Sequence, residues 1–283
     1  DHEHPSTFAL AAARKALKRA NFSSKKLDFI LYCSNGIYDY QFWSPSAHIQ
    51  HKIKADNAIT FDLNNGCNAA SAGMYMAINL LASSNFSYGL VIVSDTISKF
   101  INYKDKNLFP LFSFGDGASA LLIGKHQKEN VIISQALHTN GKFVGCNKLS
   151  LGGTRGLAEN TNKFIQVDLN GKNTQILRKE IMTKKYIHVI TQALHQAGLS
   201  IKELTYFLTN QNSLNIINQI IDRLAIPKNK LLETRESHGH MGAIDVLYAL
   251  EKCITGELVT KNDFILLATT GIGYHWGAQV IAV

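Results

Sequence analysis

The sequence predicts an α/β protein assembled from two similar halves, each a buried sheet covered by helices. Three observations predict it. Short apolar, β-branched runs recur along the 283 residues without the alternation of a half-exposed strand, as expected of strands covered on both faces. Helical patterns separate these runs, which is the rhythm of a layered α/β fold. The chain also repeats itself. Leu17-Lys18-Arg19-Ala20, followed by Lys25, Leu27, Phe29 and Ile30, reads like Leu194-His195-Gln196-Ala197, followed by Lys202, Leu204, Tyr206 and Phe207, at a constant offset of 177 residues.

In the first half the pattern predicts a helix over 6–20, strands over 27–33 and 59–63, a helix opening at Cys67, and strands over 90–94 and 118–124. The second half repeats the order: helix 181–197, strand 204–208, helix 213–225, strand 231–234, helix 243–254, and strands 264–268 and 278–283. Residues 125–130 and 140–162 read as loops, the second long, Gly-rich and exposed. The halves divide as 1–165, with the candidate nucleophile, and 166–283, with His240.

Cys67 follows an apolar strand run that ends in Asn64-Asn65-Gly66, and it opens an amphipathic helix. A thiol placed there meets unpaired backbone N–H groups and the positive end of the helix dipole, which favour the reactive thiolate. Ala69, Ala70, Ser71, Ala72 and Gly73 keep the first turns slim enough for close packing. The plainer alternative is a cysteine that fills a tight strand-to-helix corner. Two further echoes weigh against it. Gly66-Cys67 with Ala70 is matched by Gly239-His240 with Ala243, at an offset of 173, and Gly117-Ala118 is matched by Gly277-Ala278 before the last strand. Cys67 and His240 are therefore equivalent positions, and a pseudo-twofold axis between the halves would bring them to one site.

Four segments then carry a resemblance: the Cys67 elbow, Phe114-Gly115-Asp116-Gly117-Ala118, Glu236-Ser237-His238-Gly239-His240, and Gly271-Ile272-Gly273-Tyr274-His275-Trp276-Gly277. In this order, on a duplicated framework, the chain resembles the thiolase superfamily over 6–283, and within it the β-ketoacyl-acyl carrier protein synthase III family. The resemblance implies a five-layered αβαβα fold of two pseudo-symmetric halves. It also implies an acyl-enzyme formed on the cysteine from coenzyme A or acyl carrier protein thioesters, and a homodimer or a heterodimer with a homologous ketosynthase. The thioester is a substrate; no metal or further cofactor is expected. Members normally begin with an additional strand and loop, and that N-terminal strand is absent from the residues here.

The departures from the family point to the reaction. Typical condensing members place His and Asn beside the cysteine, where this chain has Asn210 and His240. That His and Asn donate to the thioester carbonyl as carbon dioxide leaves, so the exchange puts decarboxylative condensation in question. His240 with Asp245 five residues on resembles instead a variant Cys-His-Asp branch that transfers acyl groups or loads starter units. In it His240 is a general base oriented by Asp245. Residues five apart on a helix are out of phase, so the pairing requires His240 to precede the helix. Otherwise Asp245 is a charge complementing the helix dipole. The resemblance places an oxyanion hole at the backbone N–H groups of Cys67 and Gly273. Asn210 is either a donor lining the site or a strand-end residue.

The leading expectation is an acyltransferase of polyketide or fatty-acid-like secondary metabolism. The alternatives are a decarboxylative condensing enzyme and an inactive partner subunit of a ketosynthase complex. With 46% apolar residues the chain can bury a large core, yet no apolar run reaches a membrane span and no signal peptide opens it, so a cytoplasmic protein that binds no membrane is expected. The net charge of +8 suits acidic carrier proteins and coenzyme A phosphates. Its lysines are scattered without an aromatic-basic stripe, which excludes a nucleic-acid reader. The four cysteines show no zinc spacing, and Cys33 and Cys253 sit in apolar runs as reduced core thiols.

Overall fold

A computed structural model describes residues 3–157 and 163–283, whose principal strands divide between two four-stranded sheets. In chain order the strands are β1 (Phe29–Ser34), β2 (Ile59–Asn64), β3 (Tyr88–Asp95), β4 (Gly117–Gly124), β5 (Val131–Thr139), the short pair β6 (Asn147–Lys148) and β7 (Gln166–Val167), β8 (Tyr206–Thr209), β9 (Phe264–Gly271) and β10 (His275–Ala282). The helices are α1 (Pro5–Arg19), α2 (Pro45–Ile53), α3 (Ala69–Ser83), α4 (Lys172–Ile176), α5 (Met182–Ala197), α6 (Leu214–Leu224), α7 (Arg235–His238) and α8 (Ile244–Thr255).

The first sheet has the order β2-β1-β3-β4, with β1 parallel to β2 and β3 and with β4 antiparallel to β3. The second has the order β5-β10-β9-β8, parallel between β8 and β9 and antiparallel elsewhere. The absence of alternation in the sequence has a direct cause in these sheets. Ile30 and Tyr32 of β1, with Leu90 and Ile92 of β3, pack in one cluster with Ala9 and Ala13 of α1 and Ile49 of α2. Phe29, Leu31, Cys33, Val91 and Val93 face the other way, toward Met74 of α3 and Val246 of α8. Both faces are apolar because both are covered. Val189, Ile190 and Ala193 of α5 and Ile217 of α6 cover the far side of the second sheet, against Phe207, Leu266, Ala268 and Trp276. The layers run α1/α2, first sheet, α3/α8, second sheet, α5/α6, which is the expected five-layered arrangement.

The small residues opening α3 serve this packing. A Cβ on Gly73 would lie 2.7 Å from Cys33 Sγ and 2.8 Å from a Val91 methyl, so the helix meets the sheet only because that atom is missing.

Some details differ from expectation. Residues 231–234 form no strand; Leu231 makes a single bridge to Phe207 after a tight turn at Lys228–Lys230. β5 and α2 have no place in the residue ranges expected from the sequence. Ser134 and Gln135 interrupt the apolar run of β5, and α2 carries two histidines and a lysine on nine residues. Since β5 pairs with β10, the sheets part within 125–130 rather than at residue 165. The α5 helix is preceded by α4 and a widened turn over Leu177–Ile181. The loop expected over 140–162 contains tight turns at Gly141–Cys146 and Thr154–Leu157; residues 158–162 of it lie outside the described residues. Where β5 flanks β10 in the second sheet, β4 carries no flanking strand in the first among the described residues.

Candidate active site

Cys67 occupies a single tight turn, Gly66–Asn68, between the end of β2 and α3. Gly66 has φ +59°, and a Cβ there would sit 2.8 Å from Ile272 N; a Cβ on Gly271 would sit 2.7 Å from Cys67 N. The two glycines let the cysteine turn and the β9–β10 turn touch backbone to backbone. A buried polar network ties the same region to the second sheet. Ser71 Oγ is 2.6 Å from Thr269 Oγ1 and donates to Gln279 Oε1 at 2.8 Å, while Thr269 Oγ1 donates to Asn68 Oδ1 at 2.6 Å.

His240 reaches Cys67 from the opposite half. Its backbone N donates to Ser113 O at 2.7 Å, and Gly115 N donates to His240 O at 3.0 Å, so the Phe114-Gly115-Asp116 turn clamps the loop that bears it. Close approach requires glycine here: a Cβ on Gly239, which has φ +67°, would lie 2.1 Å from Ser113 O. The imidazole stacks on Phe114, with ring centroids 4.6 Å apart.

His240 precedes α8 and Asp245 lies in the first turn of α8, so the phase restriction of a continuous helix does not apply. His240 Nδ1 donates to Asp245 Oδ2 at 2.5 Å, and both side chains are buried. Asp245 also accepts from Gln211 N at 2.7 Å and Met241 N at 2.8 Å. These bonds fix the carboxylate and leave Nε2 of His240 as the nitrogen for a hydrogen bond with Cys67. Burial, the largest influence, pushes His240 down, but the charge and hydrogen bond of Asp245, with Cys67 adding to them, outweigh it and raise His240 to about 10.

Asn210 is fully buried, and its amide is committed to the protein. Nδ2 donates to Cys67 O at 3.2 Å and to Gly242 O at 3.0 Å, and Oδ1 accepts from Thr270 N at 2.6 Å and from the Tyr186 hydroxyl at 3.2 Å. In this geometry Asn210 keeps no N–H for a substrate carbonyl, which favours the strand-end alternative: the residue is a brace that joins the loops bearing Cys67 and His240. Gly273, at φ +144°, lies in the turn facing Cys67 beside the residues that line the cavity. His238 is exposed, stacked on Tyr248 and bonded to Ser237. Asp116 accepts from Ser98 N and Oγ, as a turn-holding residue does.

Asn35, which lies against Cys67, and its partner Asp95 escaped the sequence reading. Cys67 Sγ donates to Asn35 Oδ1 at 3.7 Å, and Asn35 in turn donates twice to the buried carboxylate of Asp95. Both stand at the C-terminal ends of first-sheet strands, the edge where α/β proteins gather their sites, and this was the available signal.

Cys67 lies at the junction of two cavities. One, about 260 Å³, is bordered by Leu108, Arg178, Asn212, His240 and Tyr274; the other, about 330 Å³, by Asn35, Ile37, Gln41, Leu149 and Ile165. A larger cavity of about 720 Å³ runs along β4 and does not include Cys67. All four cysteines are free, and burial raises Cys33 and, to about 11, Cys253, which makes them poor nucleophiles. Among the described residues there is no cluster of three metal-ligating side chains, and no helix is long and apolar enough to cross a membrane.

Comparison with known proteins fits this site. Residues 61–141 match the family model of 3-oxoacyl-[acyl-carrier-protein (ACP)] synthase III, and residues 194–283 match the model of its C-terminal part, together more than half of the chain. β-Ketoacyl-[acyl-carrier-protein] synthase III of Streptococcus equi subsp. equi is 28% identical over 99% of this chain and 85% of its own length. The Chlamydia pneumoniae protein of the same name is 28% identical over 99% and 82%. Among solved structures, 3-oxoacyl-[acyl-carrier-protein] synthase III from Aquifex aeolicus superposes with a TM-score of 0.86 at 23% identity, covering 100% of this chain and 86% of that one. A priming β-ketosynthase from a polyketide biosynthetic pathway does so with 0.86 at 23%, covering 99% and 82%. With the thiolase-like layers, the Cys67 elbow and the matched segments together, the chain belongs to the 3-oxoacyl-[acyl-carrier-protein] synthase III family.

Proposed function

We propose that the protein moves an acyl group from a coenzyme A or acyl carrier protein thioester to an acceptor through an acyl-Cys67 enzyme. The observation that carries this reading is a carboxylate, Asp245, that orients and charges an imidazole, His240, beside the sulfur. The Cys67 sulfur, as the thiolate paired with protonated His240, attacks the thioester carbonyl; a new C–S bond forms, the C–S bond of the donor thioester breaks, and the departing thiolate takes a proton from His240. Now neutral, His240 removes the proton of the acceptor as that group attacks the acyl-enzyme. The Cys67 sulfur leaves, and His240 ends protonated as it began. Backbone N–H groups of Cys67 and Gly273 are the proposed hole for the carbonyl oxyanion. The two cavities meeting at Cys67 offer separate places for the acyl chain and the thiol arm. The positive net charge suits the phosphates of the donor. No metal or further cofactor has a role in this scheme.

Family membership favours a second reading, decarboxylative condensation with a malonyl thioester. The commitment of Asn210 argues against it, because His240 alone would remain as a side-chain donor to the enolate. A partner subunit without turnover is the third. The outer edge of β2, with Ile59 and Phe61 exposed, suits self-association as a homodimer.

Intact-mass analysis after exposure to acyl and malonyl thioesters tests these readings, with Cys67→Ala as control and carbon dioxide detected in parallel. Acyl transfer predicts an adduct that is lost in the control and released by an acceptor without decarboxylation. Carbon dioxide release with a chain lengthened by two carbons would establish condensation instead, and no adduct at all would leave the partner subunit.

A further inference from the structure

We propose that Asn35, oriented by Asp95, is a positioning residue that governs how readily Cys67 gives up its proton. The inference rests on the reading of Cys67 as the nucleophile. Asn35 directly follows β1 and Asp95 closes β3, the adjacent strand, so neighbouring strand ends bring them together. Asn35 N donates to Asp95 Oδ1 at 3.0 Å and Asn35 Nδ2 donates to Asp95 Oδ2 at 2.8 Å. An ionised carboxylate only accepts, so with Oδ1 of Asp95 held by the backbone N–H, Oδ2 takes the nitrogen end of the Asn35 side-chain amide. The nitrogen points to Asp95 and Oδ1 is left toward Cys67, whose Sγ lies 3.7 Å away. A carbonyl oxygen accepts from a thiol and repels a thiolate.

The loop that bears His240 closes over this pair. A Cβ on Gly242 would stand 3.2 Å from Asn35 Nδ2 and 3.5 Å from Asp95 Oδ2. Two arms thus meet at one sulfur with opposite preferences: protonated His240 favours the thiolate, and Asn35 favours the thiol. Asp95 is completely buried, and burial with the nearby Asp116 charge pushes it up to about 7, against the pull of the Asn35 bonds and His240. Tyr32, Tyr38 and Cys33 also feel Asp95, and Tyr186 and Tyr274 feel Cys67 along with His240. A costly buried carboxylate that accepts from both the backbone N–H and the side-chain amide of Asn35 is explained by the need to keep that side chain from turning over.

Asp95→Asn tests this, because its own amide presents an N–H where the carboxylate accepted. Asn35 must then turn Oδ1 inward and offer Nδ2 to the sulfur. The expected result is a pH midpoint for alkylation of Cys67 by iodoacetamide lowered by about one unit, or about tenfold faster alkylation below the wild-type midpoint. Peptide mapping assigns the label to Cys67, and circular dichroism checks the fold. Asn35→Ala should lower the midpoint by itself, and it carries the test if Asp95→Asn fails to fold. Adding Asp95→Asn to Asn35→Ala should shift the midpoint by much less than Asp95→Asn does alone, leaving only the direct effect of the lost charge on the His240 pair. Unshifted midpoints in folded variants, or additive shifts in the double variant, would overturn the proposal. Wild-type protein that alkylates at Cys67 yet accepts no acyl group would refute the acyl-transfer reading and leave the comparison of variants readable. A Cys67 inert in every variant would overturn both.

Discussion

His240 Nδ1 lies 2.5 Å from Asp245 Oδ2 although the two residues are only five apart, because α8 begins between them. The loop residue turns its ring back over the helix start, where Asp245 is already held by the Met241 and Gln211 backbone N–H groups. The proposed acyl transfer depends on this fold-back.

Asp245→Asn should preserve the loop but remove the charge that holds His240 protonated. Turnover is expected to fall on the order of 10²–10⁴-fold. The pH profile of acylation should move to lower pH as His240 loses its support. Steady-state rates across pH, compared with His240→Ala, check this; an unchanged profile would take Asp245 out of the mechanism.

The same pair should leave a signature in stability. Its folded value, raised to about 10 from an ordinary 6.5, means that the native state binds the His240 proton more tightly than the unfolded chain. The contribution is complete below about 6.5, declines as pH rises, and is gone once pH passes about 10. Urea unfolding of wild type and His240→Ala at acid, neutral and alkaline pH should show the gap between them closing toward the alkaline end.

Gly239→Ala should damage the site without touching a reacting atom. The added Cβ meets Ser113 O at 2.1 Å in a residue at φ +67°, so the clamp on His240 must open. A destabilisation of about 1–3 kcal/mol and a loss of acylation should appear together. Gly145→Ala, where a Cβ meets nothing within 4 Å, is the neutral control. Thermal melts and adduct mass measure both.

Thr269→Val removes the hydroxyl that links Asn68 to Ser71 between α3 and the second sheet. Leaving Asn68 Oδ1 without that donor should cost about 1–3 kcal/mol. Chemical denaturation should show the loss, with acylation slowed because Asn68 adjoins the nucleophile; an unperturbed midpoint would mean that the network contributes little.

The layered fold was legible because its cause is local. Strands covered on both faces have to be apolar throughout, as β1 and β3 are, and the repeat from Leu17 to Leu194 marks two copies of one arrangement. Where local pattern was weak, the reading failed. Polar Ser134 and Gln135 concealed β5, whose place comes from pairing with β10, and residues 231–234 had a strand-like composition but only one partner bridge. Cys67, His240 and Asp245 could be picked out by residue type and by repeat position, since a thiol, an imidazole and a carboxylate are chemically distinctive.

What the sequence determined by itself was therefore the duplicated α/β framework and the choice of candidate side chains for the site, because periodicity and residue chemistry are properties of the chain. Tertiary structure alone decided what Asn210 and Asn35 do. An amide can donate or accept equally well, and only its neighbours choose. Asn210 is surrounded by the backbone of Cys67, Gly242 and Thr270 and becomes a brace, whereas Asn35 is turned by Asp95 so that its oxygen faces the sulfur.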